Sequence, residues 1–268
     1  LCIQPNLDMA KTFTTDRFDT MVSDCPALLK TVAEEKSRDK SNTTFHKTFP
    51  DGHLTVVGSN SSSGLKSRPI RYLLCDEVDE YPFANRSTGD PLQKGIKRTT
   101  TFRGRRKRIF GSTPTVKGAS RIDSLYETSD QRKFFVPCPH CDHFQVLVHP
   151  NLVWEENDPL TAAYCCEECG ALIEDVDKPE MLTRGEWRST SEKGRRGVAG
   201  FWINELYSPF VSWGEYAEGF LEAKKTPETL QTFVNESMGE VWDEEGSTIE
   251  SEMFIDRVED YERVPTEV

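Results

Sequence analysis

Residues 70–82 read Ile-Arg-Tyr-Leu-Leu-Cys-Asp-Glu-Val-Asp-Glu-Tyr-Pro, and this stretch decides the fold. Its apolar run, 72–75, has the length and composition of a fully buried strand in a parallel sheet. The run ends abruptly in four carboxylates, which belong to Asp76, Glu77, Asp79 and Glu80. The pattern predicts an α/β fold in which a buried strand delivers acidic side chains to one edge of a mainly parallel sheet.

The position of these acids indicates a catalytic role. Ligands of open α/β sheets bind at the carboxyl ends of the strands, and magnesium prefers carboxylate oxygens. We therefore expect Asp76 to hold a magnesium ion and Glu77 to accept a proton from a water molecule. The arrangement has the form of a Walker B motif. An acidic turn after a core strand remains the alternative interpretation.

A second short strand, 108–111, runs directly into Ser112 and Thr113. A hydroxyl group beside an acidic strand can hydrogen-bond to a γ-phosphate or to the attacking water. Ser112 and Thr113 are therefore candidates for sensing a bound phosphate, with an ordinary Ser-Thr-Pro turn as the alternative. The sequence contains no Gly-x-x-x-x-Gly-Lys-Ser/Thr phosphate-binding loop.

Two Cys-x-x-Cys pairs form the second strong signal. The first pair is Cys138 and Cys141, and the second is Cys166 and Cys169, with 24 residues between Cys141 and Cys166. Four thiolates at this spacing are typical of a tetrahedral structural zinc site, which has no open position for chemistry. The adjacent Cys165 is an alternative ligand. A disulfide scaffold is a weaker alternative, because the remaining cysteines lie in apolar or helical contexts that suit reduced thiols.

Charge is distributed unevenly along the 268 residues. The net charge is −12, but residues 236–268 alone hold twelve acidic and two basic residues. Residues 94–108 hold eight basic residues and no acidic one. A local basic patch of this kind can neutralise phosphates even though the net charge of the chain is negative. A solvated basic loop is the alternative. The candidates for DNA contact are Arg103, Arg105, Arg106 and Lys107.

Periodicity and capping residues predict the remaining elements. Asn6 and Ser212 are placed to cap helices. The predicted elements are a strand at 1–5, a helix at 7–21, a hairpin at 43–49 and 53–58, a short helix at 91–99, a strand at 198–206, and helices at 213–224 and 227–239. No apolar run approaches the roughly 18 residues of a membrane span.

Six stretches together carry a resemblance to a known family. They are Leu-Cys-Ile-Gln-Pro-Asn-Leu-Asp-Met-Ala (1–10), Ser-Ser-Gly-Leu-Lys-Ser-Arg-Pro (62–69), Leu-Leu-Cys-Asp-Glu-Val-Asp-Glu-Tyr-Pro (73–82), Gly-Ser-Thr-Pro-Thr (111–115), Val-Pro-Cys-Pro-His-Cys (136–141) and Leu-Tyr-Ser-Pro-Phe-Val-Ser-Trp (206–213). In this order they resemble the large terminase subunit of tailed bacteriophages, in the lambda-type (GpA-like) family. The resemblance covers essentially the whole chain.

The resemblance implies a P-loop NTPase core (ASCE, RecA-like) with an inserted zinc ribbon and a small helical subdomain. It implies an ATP-driven motor that packages double-stranded DNA into procapsids and a nuclease that cuts concatemeric DNA. ATP, Mg²⁺ and structural Zn²⁺ are the implied cofactors. The implied partners are double-stranded DNA, the small terminase subunit, the portal protein and further copies of the subunit, at the portal vertex in the host cytoplasm.

The same resemblance assigns roles to individual residues. Asp76 would hold magnesium, Glu77 would activate water, and Ser112-Thr113 would couple hydrolysis to movement. Arg68 would contact phosphate or DNA. The two rival interpretations are a zinc-ribbon nucleic-acid-binding or adaptor protein without ATPase activity and a helicase-type ATPase that acts on single strands.

The family pattern also predicts the domain organisation. The Walker A loop is expected upstream and the nuclease downstream, so the chain is expected to be an internal piece that is inactive by itself. We expect residues 1–130 to belong to the motor core and 131–175 to form the zinc ribbon. Residues 176–242 are expected to complete the ATPase domain with a helical subdomain, and 243–268 to form an acidic linker.

Overall fold

The computed structural model describes residues 1–32, 43–61, 64–65, 69–82, 89–156 and 158–243. Arg68 and nearly all of the acidic segment 243–268 therefore lie outside the described residues. Within the described part of the chain, no helix is both long enough and apolar enough to cross a membrane.

A five-stranded sheet forms the first half of the molecule. Its strands are β1 (Cys2–Gln4), β2 (His46–Phe49), β3 (Gly52–Gly58), β4 (Tyr72–Cys75) and β5 (Lys107–Phe110). The strand order is β2-β3-β1-β4-β5. Only β2 runs antiparallel, as the edge partner of β3 in the predicted hairpin. The expected α/β architecture with a mainly parallel sheet is confirmed.

The helices predicted at 7–21 and 91–99 are present in this half, whereas the helices Pro26–Leu29 and Arg121–Glu127 were not predicted. The helices of this half are α1 (Leu7–Thr12), α2 (Asp19–Asp24), α3 (Pro26–Leu29), α4 (Pro91–Arg98) and α5 (Arg121–Glu127). Asn6 caps α1 by accepting a hydrogen bond from the Met9 amide at 2.9 Å. The predicted continuous helix 7–21 is wrong in one respect, because Phe13–Phe18 is π-helical. There the Thr14 hydroxyl donates to the Ala10 carbonyl and competes with main-chain bonding.

Strand β4 is buried on one face only, which corrects the expectation of a fully buried strand. Leu73 and Cys75 lie in the core, and α4 covers them, since Gly95 lets that helix come close to the sheet. On the opposite face Tyr72 is 49% exposed and Leu74 38% exposed. Helix α1 covers that face over β1 and β3, and no element of the described residues extends this cover over β4.

In the described part of the second half there are two small sheets and three α-helices. Its strands are β6 (Arg132–Pro137), β7 (Phe144–Val146), β8 (Leu152–Glu155), β9 (Asp158–Cys165), β10 (Leu172–Ile173), β11 (Glu186–Arg188) and β12 (Phe201–Trp202). Its helices are α6 (Lys178–Thr183), α7 (Trp213–Ala223) and α8 (Pro227–Glu236). The strand orders are β10-β9-β8 and β11-β6-β12, with β7 also paired to β6.

One hydrophobic core joins the cysteine-bearing strands to α7, where Tyr164 of β9 packs against Trp213. The side chains of Ser212 and Glu215 form a capping box that begins α7 as predicted. The predicted strand 198–206 is largely wrong, because only Phe201–Trp202 is extended. The Asn204 side chain bonds the Leu147 carbonyl and the Leu206 amide, which turns the chain into a 3₁₀ turn.

Candidate active site and metal centre

The parallel strands β4 and β5 end at the same edge of the sheet and bring the predicted acidic and hydroxyl groups together. The Gly111 amide donates to the Cys75 carbonyl at 3.0 Å, and the Val78 amide donates to the Gly111 carbonyl at 3.2 Å. The Ser112 hydroxyl consequently lies 3.3 Å from Oε2 of Glu77. The expected proximity of the two motifs is therefore present in the structure.

The Ser112 hydroxyl contacts both motifs at once. It accepts a hydrogen bond from the Asp79 amide at 3.2 Å. Its own hydrogen faces two acceptors, Oε2 of Glu77 at 3.3 Å and the Thr113 carbonyl at 3.0 Å. Because one hydroxyl hydrogen serves one good acceptor at a time, a shift of the Glu77 carboxylate changes the bonding of the Thr113 main chain.

The backbone at Glu77 is strained. Its φ of 50° and ψ of 57° lie in the left-handed region, which costs a residue other than glycine about 1–3 kcal/mol. The Arg121 side chain stabilises the following turn by donating to the carbonyls of Val78, Tyr81 and Pro82 at 3.0, 2.6 and 3.1 Å. These bonds fix the main chain of the turn that follows Glu77.

The structure divides the four predicted carboxylates into two groups. Asp79 is structural, because its oxygens accept from the Ile122 amide at 2.8 Å and from the Thr115 hydroxyl at 2.9 Å. Glu80 is exposed, whereas Asp76 and Glu77 are half-buried at the open edge. Oxygen donors at such an edge fit a magnesium ion, which binds one or two carboxylates and keeps several waters. Asp76 and Glu77 are thus the pair suited to metal and water chemistry.

A residue from the first strand supports Asp76. The side-chain amide of Gln4 donates to Oδ2 of Asp76 at 3.1 Å, and Gln4 is only 2% exposed. The Asp76 main-chain amide also donates to the Ile3 carbonyl at 3.0 Å. Both the backbone and the side chain of Asp76 are therefore bonded to β1.

Helix α8 forms the opposite wall of the site. Glu77, Thr113 and Glu236 line one cleft between the sheet edge and this helix. The Thr113 hydroxyl donates to Oε2 of Glu236 at 3.4 Å. The predicted coupling residues therefore contact α8 on one side and the acidic strand end on the other.

The chain after Thr113 is bonded to the end of the described region. The Trp242 amide donates to the Thr115 carbonyl at 2.8 Å, and the Lys117 amide donates to the Trp242 carbonyl at 2.9 Å. The buried amide of Asn235 donates to the carbonyls of both Thr115 and Glu240, at 3.0 and 2.8 Å. We call residues 112–117 the hydroxyl segment and this set of bonds its C-terminal link.

The four predicted zinc ligands come together at a second site. Their sulfur atoms all lie within 4.8 Å of one another. Cys138 and Cys169 are 3.9 Å apart, and Cys141 and Cys166 are 3.8 Å apart. Tetrahedral zinc with bonds of about 2.3 Å places its sulfur ligands about 3.8 Å apart, so the cluster fits that metal. The Cys165 thiol instead faces the Gly170 carbonyl at 3.8 Å.

The cysteine pairs follow the ends of β6 and β9, where tight turns aim their thiols at one another. The second turn needs Gly170 with a φ of 69°. Burial acts to raise the pKa of Cys166, but hydrogen bonds from the amides of Cys169 and Glu168 outweigh it and lower the pKa to about 7. Since the thiolate is the metal ligand, this lowered pKa favours metal binding by Cys166.

The predicted DNA-contacting residues lie at the opposite edge of the sheet, before and at the start of β5. Arg103, Arg105 and Lys107 are exposed, and Arg106 is half-buried. Arg71 joins them, because its guanidinium donates to the Arg105 carbonyl at 3.1 Å. We call these five residues the basic edge. It is separate from the Asp76 site, so the two do not form one cleft.

Four residues of the site were missed by sequence analysis, namely Gln4, Arg121, Asn235 and Glu236. A polar residue at the end of an otherwise apolar strand was the available signal for Gln4. Asn235 and Glu236 lie on a helix whose apolar spacing indicates only core packing. Nothing in their local sequence indicates a site more than a hundred residues away.

Comparisons with known proteins agree on one family. A family model described as the phage terminase large subunit gpA, ATPase domain, matches residues 1–187. A second model, for the terminase large subunit gpA endonuclease domain, matches residues 198–268, a segment that includes α7 and α8. No solved structure matches the chain.

Two curated proteins are similar to the chain, and both are named terminase large subunit. The protein of Enterobacteria phage P21 is 28% identical over 285 residues, covering 97% of this chain and 44% of the relative. The protein of Escherichia phage lambda is 27% identical over 276 residues, covering 94% of this chain and 43% of the relative. The chain thus spans less than half the length of these relatives.

Proposed function

The chain belongs to the gpA family of phage terminase large subunits, and we propose that it forms most of the ATP-hydrolysing motor of such a subunit. The whole protein would package double-stranded viral DNA into procapsids and cut concatemeric DNA. The observation that carries this proposal is the meeting of Glu77 with the Ser112 hydroxyl, beside Asp76, where β4 and β5 end.

We assign the hydrolytic roles to the two half-buried acids. Asp76 would hold Mg²⁺, which when bound neutralises charge on the phosphate oxygens. Glu77 accepts a proton from the attacking water and aligns it with the γ-phosphate. Arg121 fixes the main chain of the turn after Glu77 by bonding three of its carbonyls, and the Ser112 hydroxyl lies beside the Glu77 carboxylate.

The hydroxyl segment supplies a route from hydrolysis to movement. When the γ-phosphate leaves, Glu77 loses its bound water, and the Ser112 hydroxyl can exchange its Glu77 acceptor for the Thr113 carbonyl. The resulting shift reaches α8 through the bond from Thr113 to Glu236. In this proposal the helical part, 176–242, moves relative to the motor core, 1–130, and advances the DNA.

The four clustered cysteines would hold a structural zinc ion. The sulfur spacing and the complete set of four protein ligands support a closed site that stabilises the fold and does no chemistry. The ion would fix the turns after β6 and β9, and these strands contribute Val136 and Tyr164 to the core shared with α7. We propose residues 131–175 as the zinc ribbon on this basis.

The basic edge supports a role in binding duplex DNA phosphates. Family membership supports the further partners, which are the small terminase subunit, the portal protein and other copies of the same subunit. It also supports a location at the procapsid portal vertex in the host cytoplasm. Residues 243–268 lie within the segment that the endonuclease model matches, and in this proposal they lead from the motor into the rest of the nuclease region of the whole protein.

ATP turnover of the full-length protein tests the proposal. We expect turnover that increases when linear duplex DNA is added. Stimulation by single-stranded DNA alone would favour a helicase-type ATPase, and the absence of any turnover would favour a zinc-ribbon adaptor. Single-stranded DNA of the same length and concentration is the matched control for the duplex.

A further inference from the structure

We propose that Gln4 is a positioning residue that fixes the Asp76 carboxylate for metal binding. The inference rests on the proposed role of Asp76 as the magnesium ligand. It adds to that role a specific supporting side chain from a different strand. Its physical basis is the bond from Nε2 of Gln4 to Oδ2 of Asp76 at 3.1 Å.

The burial of Gln4 makes this bond specific. The side chain is 2% exposed at the end of the central strand β1, so it has little access to water. Its amide nitrogen faces Oδ2 of Asp76 at 3.1 Å and the Cys2 sulfur at 3.6 Å. A carboxylate accepts hydrogen bonds, and the orientation of the Gln4 amide is therefore determined by Asp76.

The bond completes a two-point attachment of Asp76 to β1. The main chain is attached by the bond from the Asp76 amide to the Ile3 carbonyl at 3.0 Å. The side chain is attached through Oδ2, so Oδ1 is the oxygen that we assign to the metal. Without Gln4 the Asp76 carboxylate can rotate about its side-chain torsions. Metal binding would then have to fix the carboxylate in one orientation, which weakens the affinity. Outer-shell partners of this kind change metal affinity by roughly 10- to 100-fold.

The test uses Gln4→Met in the full-length protein, since methionine keeps an unbranched side chain of similar length and removes both N–H donors. Mn²⁺ is the probe, and its binding in the presence of a non-hydrolysable ATP analogue is measured by electron paramagnetic resonance. We expect the Mn²⁺ dissociation constant to rise about tenfold or more. Mg²⁺ titration of ATP turnover should show a raised half-saturation concentration, with kcat largely recovered at saturating Mg²⁺.

The matched control is Ser59→Ala. Ser59 is 3% exposed and its hydroxyl donates to the Pro5 carbonyl at 2.5 Å, at the same end of the sheet. This variant removes a buried hydrogen bond without touching Asp76, so Mn²⁺ binding should stay within about twofold of wild type. A similar loss in both variants would overturn the specific role of Gln4. Gln4→Leu replaces Gln4→Met where the latter fails to fold by circular dichroism.

Asp76→Asn separates the inference from the proposed function. If Asp76→Asn leaves Mn²⁺ binding unchanged, the proposed magnesium site itself is wrong. If Asp76→Asn weakens binding and Gln4→Met does not, only the role of Gln4 is overturned. In the double variant Gln4→Met/Asp76→Asn, Mn²⁺ binding should be little weaker than in Asp76→Asn alone, because Gln4 acts through the Asp76 carboxylate.

Discussion

The backbone of Glu77 is left-handed, although glutamate has no intrinsic preference for that region. The surrounding turn maintains this conformation through Arg121, and the Ser112 hydroxyl lies beside the carboxylate. Strain that is held by its surroundings at an open strand end is typical of functional positions. The conformation therefore supports Glu77, ahead of its acidic neighbours, as the base.

Replacing Glu77 by glutamine is the first prediction. Glu77→Gln in the full-length protein keeps the shape of the side chain and removes its ability to accept a proton. We expect ATP turnover to fall by roughly 100-fold or more, since a positioned base contributes about 10²–10⁴. Nucleotide binding, measured with a fluorescent ATP analogue, should remain near the wild-type level.

Glu80→Gln is the control for this experiment. Glu80 lines the same cleft, but it is exposed, whereas Glu77 is half-buried beside the Ser112 hydroxyl. The ATP turnover of Glu80→Gln should stay within about threefold of wild type. Turnover of Glu77→Gln within a factor of about two of wild type would remove Glu77 from the mechanism.

Local sequence predicted the site residues that directly follow strands, but it missed the residues that contact them from distant parts of the chain. Asp76 and Ser112 follow apolar runs, so their position at one sheet edge could be inferred from parallel pairing. Gln4 meets Asp76 across 72 positions, and Asn235 meets Thr115 across 120. Such contacts depend on strand order and helix packing, which short-range periodicity does not encode.

At the level of elements, capping residues predicted the starts of helices better than periodicity predicted continuity. The caps at Asn6 and Ser212 are confirmed by their hydrogen bonds. The apolar segment 198–206 suggested a strand, but the buried Asn204 side chain bonds main-chain groups and turns it. A side-chain amide that competes for backbone partners can override the pattern of apolar residues.

The paired turns after β6 and β9 lead to the second prediction. Cys169→Ser should reduce bound zinc from about one equivalent to a small fraction, because three thiolates remain in a site built for four. The melting temperature should fall by about 5 °C or more. Metal content is measured by mass spectrometry on protein purified without chelator.

Cys165→Ser is the matched control for the zinc site. Cys165 directly precedes Cys166, but its thiol faces the Gly170 carbonyl and lies outside the sulfur cluster. Zinc content should therefore remain near one equivalent. Equal zinc loss in Cys165→Ser and Cys169→Ser would show that the sulfur cluster does not identify the ligands.

At the level of the whole molecule, the basic edge and the Asp76 site occupy opposite ends of the same parallel strands. The third prediction uses this separation. The double variant Arg103→Gln/Arg105→Gln should bind duplex DNA more weakly and reduce the salt slope of binding by about two. Basal ATP turnover without DNA should remain close to wild type, since neither residue lies at the Asp76 edge.

A double variant at the C-terminal end of α7, Lys224→Gln/Lys225→Gln, removes the same two positive charges at a site away from the basic edge. Fluorescence anisotropy with a labelled duplex over a range of salt concentrations measures both variants. The α7 variant should retain the wild-type salt slope. Equal weakening by both variants would indicate a general effect of net charge, and the basic edge would lose its assigned role.

The two halves of the molecule are joined where the hydroxyl segment meets the C-terminal link. Asn235 is central to that link, because its amide bonds the Thr115 and Glu240 carbonyls from a buried position. Asn235→Leu should therefore weaken the link between the two halves while leaving Glu77 and Ser112 in place. We expect basal ATP turnover within about threefold of wild type, and loss of most of the stimulation by duplex DNA.

Thr232→Ala is the control on the same helix, because Thr232 lines the cleft but its hydroxyl donates to the Glu228 carbonyl of its own helix, at 3.0 Å. Its ratio of DNA-stimulated to basal turnover should match wild type. If Asn235→Leu keeps that ratio while its melting temperature shows a folded protein, the link does not transmit the effect of DNA. Loss of basal turnover as well would place Asn235 in the hydrolytic site itself, since Asn235 borders the cleft that Glu77 lines.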